Sequence, residues 1–260
     1  MFPEANKAIS RKSICGLTIV ILALQYASFL NLNFIEADYT RLYMAKYYFS
    51  LYNVFIDQFF NSFFYRPLTN GLLYKIFYDV AGLNTACYRF FILLVFFLNT
   101  LLVYELTLLL CHEKYMAWSA AIFFVTRTAL AQEVLVISCG FEDPVANFFI
   151  LSTFVAYLLF AKNHTIGFYI AALLSAMLGI LSRESAMVIP LIILLIECSC
   201  LKCLNVRHVT KALIKVIPFS LVAACPLIRM ILDTLFSRGR TVGYPTSFSL
   251  HYLLANLYFF

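Results

Sequence analysis

Long apolar runs separated by short polar stretches dominate this chain. Ile14 to Ile35 contains no charged residue, and its 22 positions are enough to cross about 30 Å of hydrocarbon as a helix. Six further apolar runs follow, at 89–110, 115–135, 144–161, 165–182, 185–201 and 212–232. The runs 144–161 and 165–182 carry no charge, and the others carry one or two ionisable residues, mostly near an end. This pattern predicts an all-α, polytopic membrane protein with about seven transmembrane helices.

Lys7, Arg11 and Lys12 precede the first run, as in a secretory signal. A signal core is only about 7–15 residues and ends in small residues, whereas this run is longer and continues into Phe29-Leu30-Asn31. Residues 1–13 are therefore expected in the cytosol, ahead of an uncleaved anchor at 14–35. The short loops agree. Lys114, Lys162, Lys202, Arg207 and Lys211 fall on the same side as the N-terminus, and Arg183 is the exception outside. The single sequon, Asn163-His164-Thr165, lies on the cytosolic side and is read as a chance occurrence.

Between the first and second runs, residues 36–88 form a long outside loop that mixes charges with many aromatics. Apolar residues recur at helical spacing in Leu42–Phe55 and Leu72–Val80, with Pro67 and Gly71 as interruptions. Such helices are expected to lie in the membrane interface. After the six further spans (89–232), the stretch 233–260 is polar at first and then turns apolar at Leu250–Phe260. It reads as the start of an eighth span, which makes a fragment or a split gene product the expectation.

Composition sharpens the picture. Hydrophobic residues make up 63% and charged residues 12%, against roughly 45–50% and about 25% in soluble domains. Mean hydropathy is +0.88. A disordered chain, a coiled coil and almost every soluble enzyme are excluded. The net charge of +6 is not gathered into basic runs, so a nucleic-acid partner is excluded too.

Candidate chemistry gathers at three places where spans open outward. Phe34-Ile-Glu-Ala-Asp-Tyr39 puts Glu36 and Asp38 just after the first span. One could act as a general base, both could hold a divalent cation, or both could simply end a helix at the interface. Glu142 and Asp143 precede Pro144 between spans three and four, where acids also suit a helix N-terminus. Ser182-Arg-Glu-Ser185 places Arg183 and Glu184 in a short turn between apolar flanks. Arg suits phosphate, and a local Arg–Glu pair is the plain alternative.

Other charged residues read more simply. Arg127 and Glu133 either line a polar cavity or pair with each other. Glu105 and Glu197 are expected to snorkel to the cytosolic interface. Arg229 and Asp233 read as an i,i+4 pair. The eight Cys show no framework, and Cys198-Ser-Cys-Leu-Lys-Cys203 lacks a fourth zinc ligand unless His208 serves.

Several of these segments, in this order, resemble the GT-C superfamily of membrane glycosyltransferases, nearest to the protein O-mannosyltransferase-like branch. The similar segments are the acidic motif 34–39, then Tyr65-Arg-Pro-Leu-Thr69 with Phe77–Asn84, Tyr88 and Asn99–Tyr104. Ile137–Asp143 and Leu181–Pro190 follow. Together they cover about residues 30–195, the N-terminal module of that superfamily. The acidic motif departs from the adjacent acids of many relatives, since Ala37 separates Glu36 from Asp38.

The resemblance implies inverting transfer of a sugar from a polyprenyl- or dolichyl-phosphate donor to a protein, glycan or lipid acceptor at the outer membrane face. In that reading Asp38 is the general base, with Glu36 assisting. Arg183 stabilises the lipid phosphate and Glu184 orients it. Asp143 and Glu142 position substrate, and Arg66 is either a second phosphate contact or an anchor for the loop. No cofactor is implied, because a phosphate leaving group already carries its charge, although a divalent cation is compatible. A bacterial inner membrane is favoured over the endoplasmic reticulum. Two rivals belong to other classes: a multi-pass transporter or channel, and an inactive scaffold of the same fold.

Overall fold

A computed structural model describes residues 11–57, 59, 65–127, 129–200 and 206–236, and every element among them is helical. Helix α1 (Arg11–Tyr26) continues as a 3-10 turn, Ala27–Phe29, and the chain then leaves the helix for six residues. The first run is thus shorter as a helix than its apolar length suggests. Helix α2 (Glu36–Tyr47) follows, and a wide helical stretch at Leu68–Leu72 leads into α3 (Leu73–Ala81). Pro67 sits at the head of this stretch, where a missing N–H costs nothing. Gly71 does not interrupt it. Val54 packs so close that a Cβ at 71 would lie 2.9 Å from its Cγ2, so only glycine fits without movement.

Next come α4 (Thr85–Cys111), α5 (Lys114–Thr126), α6 (Ala129–Leu135), α7 (Ile137–Asn163) and α8 (Ile166–Ser182). A 3-10 turn, Glu184–Val188, leads to α9 (Ile189–Cys200), and α10 (Val206–Phe236) completes the described chain. Asn84 caps α4, its side-chain oxygen accepting from the Ala86 N–H at 3.1 Å. Helices α4 and α7 both stop at a histidine in the left-handed region, His112 (φ 58°) and His164 (φ 55°). That conformation reverses the chain, at a steric cost to any residue bearing a Cβ.

Among the described residues, three stretches are long and apolar enough to cross a membrane: Lys12–Phe29, Thr85–Cys111 and Ile137–Asn163. Ile166–Ser182 (α8) and the Ala212–Ala224 part of α10 are shorter apolar stretches. The run expected as one span at 115–135 is divided, because the chain turns extended at Arg127 between α5 and α6. The run expected at 144–161 starts seven residues earlier, at Ile137. Pro144 is therefore inside the helix rather than at its head.

Two cores form. The first joins α1, α2, α3, α4 and the start of α7 through Phe34, Tyr74, Tyr88, Phe96 and Phe141, all buried. Phe141 meets Tyr74 at 5.0 Å and Phe77 at 5.2 Å between ring centres, within the range of favourable ring pairs. The second core joins α7 to α8, α9 and α10 through Tyr157, Ala172, Ala176, Ile193 and Phe219. At the level of the first core α7 runs hard against its neighbours. A Cβ at Gly140 would collide with the Glu133 carbonyl and the Ile92 side chain.

Candidate functional site

The polar residues of the first core's end are assembled from four distant segments. Asp38, in the first turn of α2, is fully buried. One carboxylate oxygen accepts from the Ile35 N–H at 3.3 Å, and the other from the Ser138 N–H at 2.9 Å. Asp38 therefore ties the start of α2 to the start of α7. The helix begins at Glu36, whose side chain lies outside the described residues.

Arg66 is the hub. Its Nε donates to both oxygens of Glu184, at 3.0 and 2.9 Å, and one Nη lies 2.7 Å from Glu184 Oε2. Its other Nη donates to Glu142. Burial lowers the pKa of this guanidinium, and its bonds to Glu184 and Glu142 outweigh that and hold it above the ordinary value. Three residues on, the Thr69 hydroxyl donates to the Ser182 carbonyl at 2.7 Å. Both contacts fasten the loop segment to the turn after α8. Arg41 approaches Glu142 from α2, at 4.0 Å.

Arg183 does not meet Glu184, the partner expected from their adjacency. Its backbone is extended (φ −163°, ψ 149°), and consecutive side chains of extended backbone point opposite ways. Glu184 turns to Arg66, while Arg183 pairs with Asp143. Glu142 and Asp143 lie within α7, in its second turn, rather than ahead of a helix. Successive helix positions diverge by about 100°. The two acids thus serve different arginines.

Exposure divides the group. Glu142 and Arg66 keep 12% and 13% of their side chains exposed, whereas Arg183 and Asp143 keep 30% and 34%, and Arg41 keeps 34%. A buried core of charge is flanked by arginines and one acid that solvent reaches. Tyr74 faces the same cluster. It is fully buried, and among the described residues its hydroxyl has no hydrogen-bond partner. Burial first, and the nearby Asp38 carboxylate second, push its phenol well above the ordinary value, so it stays a neutral donor.

Arg89 is part of this end too, and its position at the head of an apolar run hides its role. It is wholly buried. It donates to the carbonyls of Val134 (3.3 Å), Asn33 (3.0 Å) and Leu32. It satisfies the irregular backbone after α1, which hydrocarbon would leave unpaired. Arg127 and Glu133 pair at 3.4 Å, as in the simpler of their two readings. Glu197 does not snorkel: it is buried, accepting from Tyr157 at 2.8 Å and from Lys215 at 3.0 Å. The Arg229–Asp233 side chains, residues 201–205 of the cysteine cluster, His208's side chain and the 237–260 segment lie outside the described residues. Among the described residues, no three His, Cys, Asp or Glu side chains group closely enough to hold a metal ion.

Comparison with protein families, with curated proteins and with solved structures yields no match.

Proposed function

We propose that this is a membrane glycosyltransferase using a polyprenyl- or dolichyl-phosphate sugar, with its site at the Arg66 end of the helices. The observation that carries the reading is the solvent-reached pair Arg183–Asp143 next in the chain to Glu184 and Glu142, which are cross-braced by the half-buried Arg66. The described contact of Arg183 uses one terminal nitrogen. Its remaining N–H donors suit a phosphate that gains charge as the sugar leaves. Glu184 would act on Arg66, the second phosphate contact, rather than on Arg183. The neighbouring helix surfaces are apolar, which suits a lipid tail.

The general base is Asp38 in this reading, as the resemblance implies. An acceptor hydroxyl would then compete with the Ser138 N–H for its oxygen. Asp143, 34% exposed and paired with Arg183, takes the role if Asp38 only holds α2 in place. The reading extends to seven spans. The helices outside the three long apolar stretches also expose apolar residues outward, such as Leu174 on α8, Leu191 and Leu195 on α9, and Ile214 and Leu221 on α10. Surfaces of that kind are suited to lipid. The active end would face the outside, in a bacterial inner membrane or its luminal equivalent.

The test is sugar transfer from a radiolabelled polyprenyl-phosphate sugar pool in membranes. Arg183→Gln should cut transfer roughly 10²–10³-fold, the usual loss for one charge-stabilising donor. Asp38→Asn and Asp143→Asn in parallel identify the base by which one abolishes turnover. Inserted, folded protein that transfers nothing overturns the enzyme reading. The break at Arg127 would then favour a transporter, which solute flux into sealed vesicles would reveal.

A further inference from the structure

Tyr74 carries a hydroxyl that the fold does not use. The residue is fully buried against Phe141, and among the described residues its hydroxyl has no hydrogen-bond partner. Tyr88 is the internal comparison. It is equally buried and stacks on the same Phe141 ring at 5.9 Å, but its hydroxyl donates to the Gly82 carbonyl at 2.8 Å. Phenylalanine would fill the Tyr74 position with the same ring and without the cost of taking a lone hydroxyl out of water. A buried polar group left without a partner calls for a role that the contacts of the folded chain do not show.

Asp38 supplies that role. It reaches α7 at the Ser138 N–H, and Tyr74 packs on α7 at Phe141, three residues further on. Positions i and i+3 share one helix face, so the carboxylate and the phenol lie against one stripe of α7. The Asp38 carboxylate is close enough to help keep the phenol protonated, and Arg41, Glu142 and Tyr88 are the other titratable groups around it. Both oxygens of Asp38 are held in the folded chain, one by the Ile35 N–H and one by the Ser138 N–H. An acceptor hydroxyl that displaces the Ser138 N–H would unfasten the carboxylate from α7. A carboxylate has room for further donors, and a phenol O–H rotates to suit its acceptor. Tyr74 is thus a donor in reserve at the place where one is lost.

We propose that Tyr74 is a positioning residue for Asp38: its hydroxyl donates to the carboxylate when an acceptor hydroxyl displaces the Ser138 N–H, and so keeps the base aimed. Tyr74 itself touches no substrate. The inference rests on the glycosyltransferase reading with Asp38 as the general base.

The experiment measures thermal unfolding in detergent and sugar transfer on the full chain, with Tyr74→Phe, Tyr88→Phe and Asp38→Asn beside the wild type. Tyr74→Phe keeps the ring and removes only the lone hydroxyl, so its unfolding temperature should rise by roughly 2–4 °C. Tyr88→Phe loses a bond that is made, and its unfolding temperature should fall by a similar amount. Transfer by Tyr74→Phe should drop roughly 10–100-fold in kcat, the worth of one hydrogen bond to a charged group. The KM for the lipid-phosphate sugar should not change, because the lost contact is not with the donor. A hydroxyl that only supports the fold cannot give higher stability together with lower turnover. If the wild type transfers sugar and Tyr74→Phe transfers it equally well, this proposal is overturned and the enzyme reading stands. A lowered unfolding temperature in Tyr74→Phe also overturns it, because the hydroxyl would then have a partner in the folded chain. So does full transfer by Asp38→Asn, which leaves Tyr74 nothing to position. A folded wild type that transfers nothing removes the enzyme reading and this proposal with it.

Discussion

Two charge clusters are set among apolar helices, and they are built differently. Around Arg66, two glutamates from positions 76 and 118 residues away converge on one guanidinium, and partly open arginines and an aspartate surround them. Around Glu197, a single carboxylate meets Lys215 and Tyr157 inside a wall formed by Phe160, Tyr169 and Phe219. The Lys215 ammonium lies 6.0 Å from the Phe160 ring centre, and its backbone carbonyl accepts from Tyr169. In the second cluster one base and one hydroxyl donate to one acid, and the exposed member is Lys215 alone, at 40%. The first spreads its exposure over Arg41, Arg183 and Asp143. Charge at membrane depth is costly in both. A single acid held by two donors marks a cluster that joins helices, and several exposed charges around a braced centre mark one suited to a ligand.

The largest effect should come from breaking the first cluster at its hub. Arg66→Met leaves Glu142 and Glu184 facing each other in a site that is seven-eighths buried at Glu142. Removing one partner of a buried pair costs about 3–5 kcal/mol, and here two acids lose the same partner. Thermal unfolding in detergent should show a loss at the upper end of that range. A loss below about 1 kcal/mol would mean that water already screens the acids, and the two clusters would no longer differ in the way their geometry says.

The parallel cut in the second cluster should cost less. Lys215→Met leaves Glu197 with the Tyr157 hydroxyl, so the carboxylate keeps a donor. The Lys215 side chain is also 40% exposed, so solvent already shares its charge. The expected loss is roughly 1.5–3 kcal/mol, that of a hydrogen bond to a charged group, measured by the same unfolding assay. Sugar transfer should be unaffected by this variant once the protein is folded. A parallel fall in transfer would couple the second cluster to the first and erase the division between holding and binding.

How far the sequence reveals these clusters depends on the kind of signal. Apolar run length reveals the helices: 165–182 is observed as Ile166–Ser182 and 89–110 as Thr85–Cys111. It misses the break at Arg127, because Phe123, Phe124 and Val125 on one side and Ala129 and Leu130 on the other keep hydropathy high across it. It also misplaces Glu142 and Asp143, because a proline that usually opens a helix here sits inside one. The candidate charges cluster as their common face suggests, but their pairing is not readable from adjacency. Arg183 and Glu184 part because of one extended residue, and Arg66 reaches across 118 positions. Arg89 carries no periodic or motif signal at all. Its role exists only because six non-helical residues after α1 need donors.

The smallest expected effect tests whether burial, rather than charge pairing as such, separates these clusters from the rest. Lys75 and Asp79 form an ion pair at 2.9 Å, as short as the bonds that hold Arg66 to Glu184. They lie one turn apart on α3, with 36% and 52% of their side chains exposed. Water solvates both ions whether or not they meet, and holding two long side chains together costs entropy. Such an i,i+4 pair contributes about 0.3–0.5 kcal/mol. Lys75→Ala should therefore leave the unfolding temperature almost unchanged and should respond little to added salt. A loss approaching that of Lys215→Met would show that distance alone sets the strength of these pairs. Depth then could not explain why the Arg66 cluster is expected to be the most costly to break.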